Sequence, residues 1–111
     1  MSLGKKTANA IGSVAASQTD SALIAAVTGS KIRVLSVSMS CGGATATAST
    51  FTSKPAGSGV AISAVFTNAL NATTHMPYNP HGHFETVVSE GLSVTTGAGS
   101  TTGYQICYEL V

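Results

Sequence analysis

Three histidines, His75, His81 and His83, stand within nine positions of one another. Imidazole is the side chain best suited to ligate a metal or exchange a proton near neutral pH. His81 and His83 are two apart, so an extended backbone puts both rings on one face. A symmetric oligomer could gather such rings on an axis around a metal or an anion. By itself Pro80-His81-Gly82-His83 reads as a turn with solvated imidazoles, the reading preferred here, so neither a metal nor a cofactor is expected. Catalysis lacks its parts. A nucleophile needs a base beside it and an acid to orient that base, and the only acids are Asp20, Glu85, Glu90 and Glu109. No GxSxG, GxxxxGK[ST] or GxGxxG occurs. The chain is read as no enzyme.

What remains are residues that could hold a partner. Lys5 and Lys6 are a basic pair in an otherwise neutral N-terminal stretch, and either anchor it on an acidic groove or are simply solvated. Tyr78 and Phe84 flank the segment Asn68 to His83, which collects Pro77, Asn79-Pro80 and Gly82. It is the longest stretch without evident structure, and such loops often carry interaction surfaces. The candidate partner-binding set is therefore Lys5, Lys6, Tyr78, His81 and His83. Aromatics at such places stack on sugar rings, but more often plug a core or anchor an interface.

The elements that position these residues read as strands. Lys31 to Cys41 is rich in β-branched residues, and its alternation changes phase midway. Ile32 and Val34 share one face, then Leu35, Val37, Met39 and Cys41 the other, as a bulge near Val34 and Leu35 would produce, or a strand buried on both faces at one end. Ala44 to Ser53 alternates small apolar and hydroxyl residues, with Cys41-Gly42-Gly43 as a hairpin turn between the two strands. Lys54 to Gly59 is a loop. Val60 to Phe66, Phe84 to Val88, Leu92 to Thr96 and Gly103 to Val111 complete the set. In the last, Tyr104, Ile106, Tyr108 and Leu110 face one way. Ser21 to Val27 is short and ambiguous, and its context favours a strand. Residues 1–18 have no period and form an arm, either flexible or laid against something else. The fold expected is all-β: one jelly-roll-like antiparallel β-sandwich of about seven or eight strands over residues 19–111, with an extended arm over residues 1–18.

Composition says what such a sandwich is for. Ala, Ser, Thr and Gly fill 58 of the 111 positions, and charged residues only 8%. A net charge of +1 gives no basic stripe for nucleic acid. The longest apolar run, Ala22 to Val27, is far short of the roughly 20 residues of a membrane helix. No leader-like apolar segment follows Lys5-Lys6, so export by that route is not expected. Surfaces this poor in charge pack against copies of themselves, which points to a homo-oligomer or a subunit of a larger assembly. The charges divide along the chain. Residues 1–55 carry five cations and Asp20; the rest carry three glutamates and no Lys or Arg. Interleaving strands would cancel these charges internally, the reading preferred over complementary faces on neighbouring copies. Cys41 and Cys107 are too few for a disulfide scaffold and read as reduced thiols at small core sites, with a cross-strand bridge the lesser alternative.

The order of pieces carries a resemblance. Gly29-Ser30-Lys31-Ile32-Arg33-Val34-Leu35 opens a strand, and a Thr-rich strand follows it. Then come Pro80-His81-Gly82-His83-Phe84-Glu85-Thr86, Gly91-Leu92-Ser93-Val94-Thr95-Thr96-Gly97, and a closing Gly103-Tyr104-Gln105-Ile106-Cys107-Tyr108. Over about residues 20–111 this resembles the small β-sandwich or jelly-roll virion structural proteins of tailed bacteriophages, found as capsid decoration proteins or fibre components. The resemblance implies a non-enzymatic subunit, often a homotrimer, made in the host cytoplasm and carried on the virion, and it transfers no catalytic residue. On this basis the first expectation is a capsid decoration (cement) protein. Its arm would grip the major capsid protein and stabilise the assembled shell by linkage. The rival is a receptor- or carbohydrate-binding module of a fibre or tail, using the loop Asn68 to His83. A pilus-like subunit ranks behind both for want of a leader.

Overall fold

Hydroxyl-bearing and β-branched residues give the strands of this chain, and glycine, proline and asparagine interrupt them. A computed structural model describes residues 7–42, 45–69 and 72–111. These form ten strands: β1 (Thr7–Val14), β2 (Ser21–Ile24), β3 (Ile32–Cys41), β4 (Thr47–Lys54), β5 (Val60–Ala61), β6 (Phe66–Asn68), β7 (Thr73–Met76), β8 (Phe84–Glu85), β9 (Gly91–Thr96) and β10 (Thr102–Leu110). One sheet runs β1-β10-β3-β7, with β8 also on β3; the other runs β2-β9-β4-β5, with β6 also on β4. All pairs are antiparallel. First pairs with last, second with ninth, and β3 and β4 with the short strands between. That nesting is a two-stranded ribbon wrapped into a jelly roll, the architecture expected.

The phase change in β3 is a bulge. Cys107 of β10 lies opposite Ser36 and Tyr108 opposite Val34, so Leu35 is the extra residue. The insertion returns Ile32 and Val34 to the face of Val37 and Met39, and all four enter one core cluster. Phe51 is its centre, fully buried. Phe84 stacks on it at 5.1 Å between centroids, and Tyr104 and Phe66 meet it edge-on at 5.9 and 6.4 Å. Tyr104 is buried, which pushes its phenol above the ordinary value, and its hydroxyl lies 2.8 Å from Ser49 Oγ.

Four local readings are corrected. β3 and β4 are no hairpin: they lie in different sheets, so that the apolar faces of both look into the core. The strand read over Val60 to Phe66 is broken into β5 and β6, which pair with different parts of β4. The segment Asn68 to His83 is not structureless, because β7 pairs with β3 from Ser40↔Thr73 to Val37↔Met76. Past Glu85 the expected strand Phe84 to Val88 gives way to a turn closed by Glu90 N–H on Val87 O at 3.1 Å. From the stretch read as an arm, residues 7–14 lie along β10 as an edge strand, from Thr7↔Glu109 to Val14↔Thr102.

The two cysteines stand on opposite faces of the first sheet. Cys41 points inward and is buried; its thiol lies 3.1 Å from the Thr45 carbonyl. Cys107 alternates with the core residue Ile106 and points outward, half-buried, so it fills no core site and cannot reach Cys41.

Candidate functional site

Every sandwich of two open sheets has four edges, and what protects them decides whether it stays alone. Three edges here are short or irregular. On the far side of the first sheet are β7 and β8, of four and two residues. The second sheet ends in β2, four residues with a register shift between Ala22 and Ile24, and in β5 and β6, of two and three residues. The fourth edge, β1, is different. It pairs with β10 over eight consecutive residues without a shift, and no other described strand pairs with its free side. Its sequence, Thr7 to Val14, has no charge and no proline, the usual devices against edge-to-edge pairing.

The side chains of β1 suit addition of a further strand. Ala10 and Val14 turn to the core, whereas Ile11 stands outward with 80% of its surface exposed. Ile11 heads a cross-sheet row that continues through Gln105 and Ser38 to His75. The next row is Ser13, Gly103, Ser40 and Thr73. Small side chains leave a shallow groove of about 330 Å³ across this face, between Ile11, Gln105 and Thr73. A second cleft, about 100 Å³, opens between β1 and β2, where Ala10, Leu23 and Ile106 are reached from the edge. A strand laid along β1 would therefore meet unpaired backbone, a narrow cleft of mixed polarity on one face and a small-residue groove on the other.

Electrostatics at this end are settled internally. The rows of the first sheet bring Arg33 between Glu85 and Glu109. Arg33 Nε lies 3.1 Å from Glu85, Lys31 Nζ lies 3.3 Å from the same carboxylate, and Arg33 Nη1 lies 3.5 Å from Glu109. Two cations of the first half of the chain, Lys31 and Arg33, are thus matched with glutamates of the second across paired strands. The Arg33 guanidinium bonded to Glu85 holds that carboxyl below the ordinary carboxylate range. Glu109 is only 2% exposed.

The residues singled out in the sequence fall elsewhere. Lys5 and Lys6 lie outside the described residues. Tyr78, His81 and His83 belong to the loop between β7 and β8, on the sheet edge opposite β1. That loop spans the bulge: Asn79 N–H donates to Leu35 O at 2.9 Å and His83 N–H to Val34 O at 2.8 Å. Gly82 closes it at φ +83°, over the Arg33 side chain, where a Cβ would collide. Tyr78 is 61% exposed and His81 is exposed, while His83 Nε2 lies 2.7 Å from Pro77 O. His75 is apart from them, on β7, with Nδ1 2.7 Å from Ser38 Oγ. Among the described residues no three His, Cys, Asp or Glu come close enough to hold a metal. Phe84 is taken by the core, which leaves Tyr78 as the loop's exposed aromatic. Sequence reasoning passed over β1 itself. Its signal was the unbroken run without charge or proline between Lys6 and Asp20, which reads as featureless until its pairing is known.

No family model matches the chain, and no curated protein matches it. Among solved structures it is similar to a chain of the Bacillus endospore appendages, which form a novel family of disulfide-linked pili. The TM-score is 0.58 and the identity 16%, over 96% of this chain and 85% of that one. At this identity the likeness is one of fold.

Proposed function

We propose that this chain is a non-enzymatic structural subunit that self-associates into a linear polymer, with a strand of a neighbouring copy added along β1. The observation that carries this reading is the long, regular, uncharged edge of β1 beside three edges that are short or broken. Strand addition supplies backbone hydrogen bonds for affinity, and Ile11 with the cleft at Ala10 and Leu23 supplies the side-chain fit. The polymeric setting of the structurally similar appendage chain supports an extracellular fibre over a shell-bound trimer. A decoration protein of a virion, the finer reading that the phage resemblance suggests, would use the same edge on a capsid lattice instead of on copies of itself.

Ile11→Lys tests the edge. A lysine there is exposed and should change folding stability by no more than about 0.5 kcal/mol, while a repeated charge blocks strand addition. Electron microscopy and sedimentation of the purified chain should show polymers, lost in the variant while its melting curve stays in place. A chain that remains a compact monomer or trimer, and sediments only with assembled capsids, would return the reading to the virion.

A further inference from the structure

At the end of the sandwich where β10 finishes, two turns are stapled back to back. Ser30 N–H donates to Val27 O, Ser89 N–H to Ser30 O, and Gly29 N–H to Ser89 Oγ at 2.8 Å. Lys31 and Val111 exchange both backbone bonds at 2.8 and 3.0 Å, which binds residue 111 to the same cluster. On this pole Val27, Val87, Val88 and Val111 are exposed, Val87 and Val88 by 54% and 48%. Turns ordinarily take Gly, Pro, Asn, Asp or Ser, and β-branched residues have no local reason to be there. The nearby charges are tied to their own chain. Glu90 accepts the Ser53 hydroxyl at 2.6 Å, Lys31 pairs with Glu85, and Lys54 bonds the carbonyls of Pro55 and Gly57. What this pole offers a partner is valine.

The opposite pole is its counterpart. The described residues of its loops, 15–20, 42, 45–46, 69, 72 and 97–101, are Ala, Gly, Ser, Thr and Gln, with Asp20 as the one charge, and its carboxylate is held by the Gly59 N–H and the Thr52 hydroxyl. An apolar knob is covered at least cost by a surface with no unpartnered charge to desolvate and few long side chains to order. This chain itself carries such a surface, one per copy.

We infer that the valine pole of one copy docks on the small-residue pole of the next. The contact is heterologous and its two halves lie at opposite ends of the sandwich, so each docking leaves a free pole of each kind and extends a row of copies. It rests on the reading of the chain as a self-associating subunit, and it gives the polymer a direction that edge pairing alone leaves open.

Cross-linking reads the contact directly. Val88→Cys and Ala98→Cys are made separately and together, each with Cys107→Ser, and oxidised under assembly conditions. Val88 and Ala98 stand at opposite ends of the six-residue β9, about 20 Å apart, too far for a bond within one chain. The double variant should yield a ladder of covalent multimers, and an equal mixture of the single variants a dimer that neither gives alone. Dimers from Val88→Cys alone would show like poles meeting and overturn the inference. So would polymers that form yet give no cross-link in any arm. An unmodified chain that never polymerises fails at the earlier step, which the sedimentation control reports separately.

Discussion

Asp20 is a small example of how this chain uses its few charges. Its backbone is left-handed at φ +49°, and its carboxylate accepts the Gly59 N–H at 2.9 Å and the Thr52 hydroxyl at 3.0 Å. It thereby pins the loop after β4 to the second sheet, and a side chain at Gly59 would occupy the carboxylate's place. The Gly59 N–H, and after it the Thr52 hydroxyl, lower its pKa against the opposing effect of burial. Glu85 is lowered too, by Arg33 first. A carboxyl whose folded value is depressed adds stability above its unfolded value and loses it as pH falls through the folded one. The melting temperature should thus hold above about pH 5 and fall as pH drops through about 4. Asp20→Asn and Glu85→Gln should each flatten that fall. A double variant whose curve runs parallel to that of the unmodified chain would assign the acid lability to other groups.

At the scale of elements, what could be read in the sequence was what alternation encodes. The bulge in β3 showed as a slip in period, and β9 and β10 showed as clean runs. Which strands pair was not encoded there. Thr47, Ser49, Phe51 and Ser53 are equally inward-facing whether β4 lies beside β3 or across the core from it, so the hairpin reading was wrong for a reason no window of sequence reveals. β7 was missed because Thr73-Thr74-His75-Met76 is a polar edge strand that needs only one apolar residue, Met76, for the core. Val87 and Val88 misled in the opposite sense, having strand chemistry in a turn. The bulge also makes a sharp prediction. Leu35→Ala should cost about 2–5 kcal/mol, as truncation of a buried leucine does. Deleting Leu35 should cost no more than that, since Ile32, Val34, Val37 and Met39 then share one face by regular alternation. A clearly larger loss for the deletion than for the truncation in urea titrations would mean that the bulged backbone is itself needed.

For the whole molecule, the shortage of charge and the shape of its edges both favour the proposed polymer, whose linkage would differ from the disulfides of the structurally similar pili. A covalent polymer held by disulfides needs at least two accessible thiols in each subunit. This chain has two cysteines, and Cys41 is buried with 1% of its surface exposed. Cys107 alone is within reach of a reagent, and one thiol per copy can join only pairs. Polymers should therefore survive reductant, and non-reducing gels should show nothing longer than dimers. Mass spectrometry should find Cys107 alkylated in the native protein and Cys41 only after denaturation. Alkylation of both at equal rates would show that the inner end of β3 opens readily.

The pairing of β1 with β10 also times events during synthesis. The edge proposed to take a neighbouring strand exists only once β10 has left the ribosome, because β1 has no other described strand to lie on. Until then Thr7 to Val14 is one more stretch of unordered, uncharged chain. Closing a loop of that length is slow, as in other folds ruled by distant contacts. On the proposed reading a growing chain would not join a polymer before β10 is made, so the order of strand pairing would serve as a checkpoint.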